Sequence, residues 1–240
     1  MGPFALKLRY RLDLEGYDDL TYENFFSGNG SFMAAFTDLG QALNYMLTNP
    51  YEEVRVNSVE VEATLEEDVR MVSLTALRLP RERVRPGDSL QMACELSQFD
   101  RAPRWERFQL EIPEWMPDGR YQLTAAAGPA AKQRDRARAP GKYVADNIPK
   151  MLEILRDVVP NNTLVFTVSN MDAGATVGGR ELPDLPGSVL FVHAGTSETG
   201  GAQLYQGDKL LEQSITIDMA VSGSQTLNFT VDRKAPPREN

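Results

Sequence analysis

The chain has a single cysteine, Cys94, among 240 residues, which excludes any internal disulfide framework. It also has a single histidine, His193, so no His-based metal site can be assembled from it. Basic residues are outnumbered, with 25 Lys and Arg against 34 Asp and Glu and a net charge of -9. That balance argues against a general nucleic-acid binder, because phosphate neutralisation needs clustered cations. No run approaches the ~18 to 20 consecutive apolar residues that span a bilayer. Met1-Gly2-Pro3 leads straight into a strand-like run, without the charged, apolar and cleavage segments of a leader peptide. The expectation is a cytoplasmic chain or a piece of a longer precursor, and a strand beginning almost at the first residue favours the piece.

What the sequence does contain is strand patterning. Phe4, Leu6, Leu8, Tyr10, Leu12 and Leu14 alternate with Lys7, Arg9, Arg11 and Asp13, which predicts a long strand with one buried face. Leu20 to Phe26 reads as its return partner. Ser31 fits a helix N-cap, and Phe32, Ala35, Phe36, Leu39, Leu43, Met46 and Leu47 recur at helical spacing until Asn49-Pro50 ends the run. From Tyr51 to Ala125 consecutive strands are separated by turn chemistry. Pro86-Gly87-Asp88 precedes the alternating Leu90, Met92, Cys94 and Leu96, and Cys94 falls at a buried position of that pattern. Phe108, Leu110 and Ile112 form the next strand, and Tyr121 and Leu123 resume beyond Asp118-Gly119.

Past Ala127 the composition changes. Gly128 to Lys142 is rich in Ala, Pro and basic residues and reads as a mobile connection or long surface loop. Ile148, Leu152, Leu155 and Val159 predict a short helix that Pro160 stops. Strands are expected again at Thr163 to Val168, Ser188 to His193, Gln203 to Gln206, Leu210 to Val221 and Thr226 to Val231. The reading is a mostly β protein with one or two short α-helices. Its parts are an α+β N-terminal strand and helix unit (1–50), an Ig-like β-sandwich (51–127), a basic linker with a short helix (128–161), a second β-rich region (162–232) that shares a sheet system with the first in one version of the reading, and a flexible tail (233–240).

Few residues offer chemistry. Gly87-Asp88-Ser89-Leu90 spells the nucleophile block of GDSL-type esterases, but Pro86 in front and an alternating strand behind favour a turn with Ser89 opening the strand. Ser197 follows His193 in a glycine-rich run that reads better as a hairpin tip than as a triad. Glu66-Glu67-Asp68 and Asp18-Asp19 lack the alternating spacing of a Ca²⁺ loop. Gly174, Gly178 and Gly179 lack the Lys-Ser/Thr of a phosphate loop, and Lys132 to Lys142 reads as a solvated linker. No catalytic, cofactor or metal residue is assigned. Trp105 and Trp115 flank the Phe108 strand, either as sandwich core or as exposed partner contacts.

One resemblance joins these turn motifs. Phe25-Phe26-Ser27-Gly28, Asn49-Pro50-Tyr51, Val84-Arg85-Pro86-Gly87-Asp88, Met116-Pro117-Asp118-Gly119-Arg120-Tyr121 and Gly179-Arg180-Glu181-Leu182-Pro183-Asp184-Leu185-Pro186 together resemble the region downstream of the catalytic domain in bacterial SpoIVB-type serine peptidase family proteins. That family's nucleophile lies in a Ser-Gly-Ser-Pro type of motif, and this sequence has none. The resemblance implies a non-catalytic interaction or structural module of a secreted, extracytoplasmic bacterial protein, with a protein partner or an upstream peptidase domain and without cofactor or nucleic acid. A serine hydrolase using Ser89 or Ser197 with His193, and a carbohydrate-binding module presenting aromatic rings, are the alternatives.

Overall fold

A computed structural model describes residues 4–99, 101–177, 180–182 and 203–236. The protein is mostly β, with three α-helices among the described residues. Its N-terminal unit comprises β1 (Phe4–Leu14), β2 (Leu20–Gly28), α1 (Ser31–Leu47) and β3 (Val56–Glu66), with the strands in the order β2-β1-β3. Both outer strands run antiparallel to β1, so β2 and β3 are parallel to each other and α1 crosses over β1 to join them. The alternation in β1 buries Leu6, Leu8, Tyr10, Leu12 and Leu14 on one face. Lys7, Arg9 and Arg11 stay exposed on the other, the hydrophobic-in and polar-out arrangement of a one-sided antiparallel sheet.

The next elements are β4 (Met71–Arg78), β5 (Arg83–Val84), β6 (Ser89–Ser97), β7 (Arg104–Glu111) and β8 (Gly119–Ala127). They are followed by α2 (Gly128–Arg138), a 3₁₀ turn at Pro140–Tyr143 and α3 (Ile148–Arg156). The chain continues through β9 (Thr163–Ser169), β10 (Ala173–Val177), β11 (Arg180–Leu182), β12 (Gln203–Gln206), β13 (Lys209–Thr216), β14 (Ala220–Ser222) and β15 (Ser224–Val231). A sheet ordered β14-β4-β6-β7 packs against one ordered β13-β9-β8-β15-β5. Leu90, Met92, Cys94 and Leu96 from the first sheet share one core with Leu123, Leu164, Phe166 and Phe229 from the second. The Phe108 and Phe166 rings meet between the sheets with centroids 5.1 Å apart. Strands from both sides of residues 128–161 thus build a single sandwich, because β8 pairs with β9 on one edge and β15 on the other. A small sheet, β11-β10-β12, lies apart from both layers.

Local chemistry explains the details. Arg85 accepts from the Asp88 N–H at 3.1 Å across Pro86 and a Gly87 with φ of 86°, a type II turn with proline and glycine at their preferred places. α3 starts at Asn147, whose side chain accepts from the Lys150 N–H, and Pro149 sits harmlessly in its first turn. It ends at Arg156, ahead of Pro160. For α1 the cap position falls on Gly30, and Ser31 is the first helical residue, its hydroxyl buried without a hydrogen-bond partner among the described residues. The run expected as one strand from Leu210 to Val221 is divided into β13 and β14, which join different sheets. The strand expected at Ser188 to His193 lies outside the described residues.

The segment expected to be a mobile connection needs correction, because Gly128–Arg138 is a helix. Its alanines and arginines are strong helix formers, and Pro129 occupies the first turn where proline is tolerated. Gly128 is forced by packing: a Cβ there would lie 2.4 Å from the Pro160 carbonyl oxygen. The N-terminal unit is tied to the sandwich by Asn24. Its side-chain oxygen accepts from the Phe25 and Asn161 N–H groups at 2.8 and 2.7 Å.

Candidate functional site

Among the described residues, those singled out by chemistry do not converge. Ser89 opens β6, opposite Glu111, and its hydroxyl accepts from Gln91 Nε2 at 3.2 Å. Ser197 and His193 lie outside the described residues. Burial pushes the Cys94 thiol up to about 12, so this side chain is a small hydrophobe rather than a nucleophile. Among the described residues no group of three or more His, Cys, Asp and Glu side chains is arranged to hold a metal ion.

The tryptophans are not core residues. Trp105 on β7 is 38% exposed, with the Arg78 guanidinium 4.3 Å over its ring, and Trp115 in the β7–β8 loop is 61% exposed. The loop already has a buried anchor in Met116, and Phe108 and Leu110 supply the inward side chains of β7.

Three of the five cations of the 128–142 segment, Lys132, Arg138 and Lys142, pair with the chain's own acids, while Arg134 bonds the Ser224 and Thr226 hydroxyls and Arg136 lies over the Tyr143 ring. Asp135 is buried and receives Arg138 at 2.5 Å, the Tyr143 hydroxyl at 2.5 Å and Lys142 at 3.1 Å. Arg138 also reaches Glu181 at 2.8 Å, and Lys209 lies 3.6 Å from Asp135. Burial alone would raise the Asp135 pKa, but the hydrogen bonds from Tyr143 and Arg138 and the charge of Lys209 outweigh it and hold the carboxyl well below its usual range. Lys132 pairs with Asp157. This cluster pins α2 against β11 and β13, and reads as structure.

A cleft of about 610 Å³ opens between α1, α2 and α3 over β2. On its floor Tyr22 donates to Asp38 at 2.7 Å and Asn24 donates to the Tyr22 oxygen at 2.6 Å. These polar groups satisfy one another and bond α1 to β2. Burial, with the Asp38 hydrogen bond and charge, pushes the Tyr22 hydroxyl far above its ordinary range, so it stays protonated.

The outer strand of the N-terminal sheet is different. β3 is exposed along nearly its whole 11-residue length, and among the described residues no strand pairs with its outer edge. Its register on β1 places Val59 opposite Leu12, Val61 opposite Tyr10, Ala63 opposite Leu8 and Leu65 opposite Leu6. Directly opposed residues share a face, so these side chains extend the buried face of the sheet beyond its cover. Val59, Val61 and Leu65 remain 44%, 44% and 56% exposed.

The reason lies in how α1 sits. Ala35, Leu39, Ala42 and Met46 face the sheet. At 100° per residue, Asp38 is on the flank bonded to β2, so Phe32, Phe36, Leu43 and Leu47 lie on the opposite flank, toward β3. The Phe32 and Phe36 rings pack together at 4.6 Å and both stay about half exposed. An apolar flank of the helix and the apolar face of β3 thus lie on the same side of the sheet, beside an edge that no described strand pairs. Burying the exposed half of each of these side chains is worth about 1 kcal/mol.

The opposite face of the same sheet is ordered by charge. Lys7, Arg9 and Arg11 form a central row on β1. On the β2 side Glu23 pairs with Lys7 at 2.9 Å and Asp19 with Arg11 at 2.6 Å. On β3 lie Glu60, Glu62 and Glu66, opposite Arg11, Arg9 and Ala5. Glu66 pairs with Arg70 at 2.8 Å, whereas Glu60 and Glu62 have no ion pair within 4 Å among the described residues.

Of the exposed apolar residues on α1 and β3, Phe32, Phe36 and Leu47 belong to the helical spacing legible in the sequence, and Val59 and Val61 fall within the run of strands expected from Tyr51. The sequence did not identify their exposure. The signal was the apolar stripe of α1, which is wider than its cover over β1 and β2 requires. A scan of protein-family models, a search of curated proteins and a search of solved structures each give no match to this chain.

Proposed function

We propose that the chain is a non-catalytic, β-rich interaction module, and that it docks its partner on the outer edge of β3, on the side of the sheet that carries the apolar flank of α1. The observation that carries this reading is the exposure of Val59, Val61 and Leu65 on a strand whose outer edge no described strand pairs, on the same side of the sheet as the half-exposed Phe32 and Phe36. Long, flat, apolar edges template strand addition, and soluble proteins otherwise shorten, cover or charge them. The resemblance to the region downstream of the catalytic domain in SpoIVB-type peptidase family proteins supports an extracytoplasmic setting and a protein partner, with an upstream peptidase domain as a natural candidate. Trp115, exposed at the far side of the sandwich core, is a second contact candidate.

A peptide display selection against the full chain tests the reading. The selected binders are expected to be extended sequences whose affinity falls at least about tenfold on Val61→Asp, a change at a half-exposed position, with an unchanged far-ultraviolet spectrum of the variant as the folding control. Binders indifferent to Val61→Asp contradict the docking edge. Stoichiometric labelling of Ser89 by a fluorophosphonate contradicts the non-catalytic assignment.

A further inference from the structure

Resting on that docking edge, we infer a partner class: an extended segment in which basic residues alternate with apolar ones, added as a fourth strand to β3. The charges on the polar face set this choice. Across the sheet the basic row of β1 meets Glu23 and Asp19 on the β2 side, and on β3 Glu60 and Glu62 stand directly opposite Arg11 and Arg9. Glu60 and Glu62 are left at the outer row without an ion pair within 4 Å among the described residues. The next strand in the series carries Lys or Arg there.

On the other face its alternate side chains fall against Val59, Val61 and Leu65, on the same side of the sheet as Phe32 and Phe36, so they are apolar. β3 already accepts such a strand on its inner edge, since β1 reads Lys7-Leu8-Arg9-Tyr10-Arg11-Leu12. A second copy of the chain fits poorly through β3. Each near-full antiparallel register that keeps the apolar faces together sets Glu60 or Glu62 opposite a glutamate of the other copy, and like charges directly opposed are destabilising.

The experiment is a fluorescence anisotropy titration of the full chain with capped peptides alternating Lys and Val, alternating Glu and Val, and alternating Lys and Val with every second amide N-methylated. Binding of the Lys peptide at least about tenfold tighter than the Glu peptide at low salt, with the gap shrinking in high salt, is the expected result. The double variant Glu60→Gln with Glu62→Gln, which removes both charges without setting a cation opposite Arg9 or Arg11, is expected to abolish that preference. Equal binding of the Lys and Glu peptides overturns the charge assignment and leaves strand docking intact. Undiminished binding of the N-methylated peptide overturns strand addition itself, as does failure of every peptide to bind. A dimer by sedimentation that Val61→Asp dissolves makes a second copy the occupant and overturns the inference.

Discussion

At the scale of single residues, the most consequential group is Asp135. Its partners Arg138, Lys142 and Tyr143 follow within eight residues and Lys209 comes from the distant β13, so the sequence shows the neighbouring basic residues without showing that a buried site forms around the acid. Because the folded carboxyl titrates below its ordinary range, its stabilisation is fully present above that range and is lost as pH falls below about 4. Asp135→Asn is expected to cost about 3 kcal/mol at neutral pH, since it leaves cations buried with less compensation. It should also flatten the acid limb of the stability curve, and urea titrations at several pH values check both effects. Cys94 was legible from its place in the alternation of β6, because burial at period two needs only local pattern. The tryptophans were not, because whether an aromatic faces core or solvent depends on which neighbours have already filled the core.

At the scale of elements, strands with strict alternation could be read almost residue by residue, as in β1 and β6. α2 could not. It carries no apolar stripe, only helix propensity, and Pro129 and Gly128 look like loop punctuation until the packing against Pro160 is seen. Gly128→Ala is expected to destabilise the chain by about 2 kcal/mol or more, because the added methyl must displace a backbone carbonyl. Thermal unfolding measures it, and an unchanged midpoint would show that α2 does not need this close approach. β3 is the element where local and global levels disagree. Its sequence is that of a half-buried strand, yet the fold leaves both its outer edge and its apolar face open. Such disagreements concentrate at functional sites.

At the scale of the whole molecule, the mostly β class followed from the spacing of turns and alternating runs, while the assembly of sheets did not. The edge partners of β8 lie 36 or more residues further along the chain, and no local pattern records that β9 and β15 flank it. A fragment comprising residues 51–127 lacks both partners of β8 and leaves Leu123 and Ala125 without Phe166 and Phe229. It is therefore expected to unfold without a cooperative transition. A sharp calorimetric transition in that fragment would show that it carries a sufficient core alone.

The account as a whole turns on the open edge of β3. Hydrogen–deuterium exchange of the full chain, followed at residues 56–66 with and without a saturating Lys and Val alternating peptide, tests it most directly. The account predicts slowed exchange concentrated in β3, with the amides of β6 and β8 unaffected. Slow exchange in the free chain at the β3 amides that point away from β1, or protection appearing only outside β3, would contradict it.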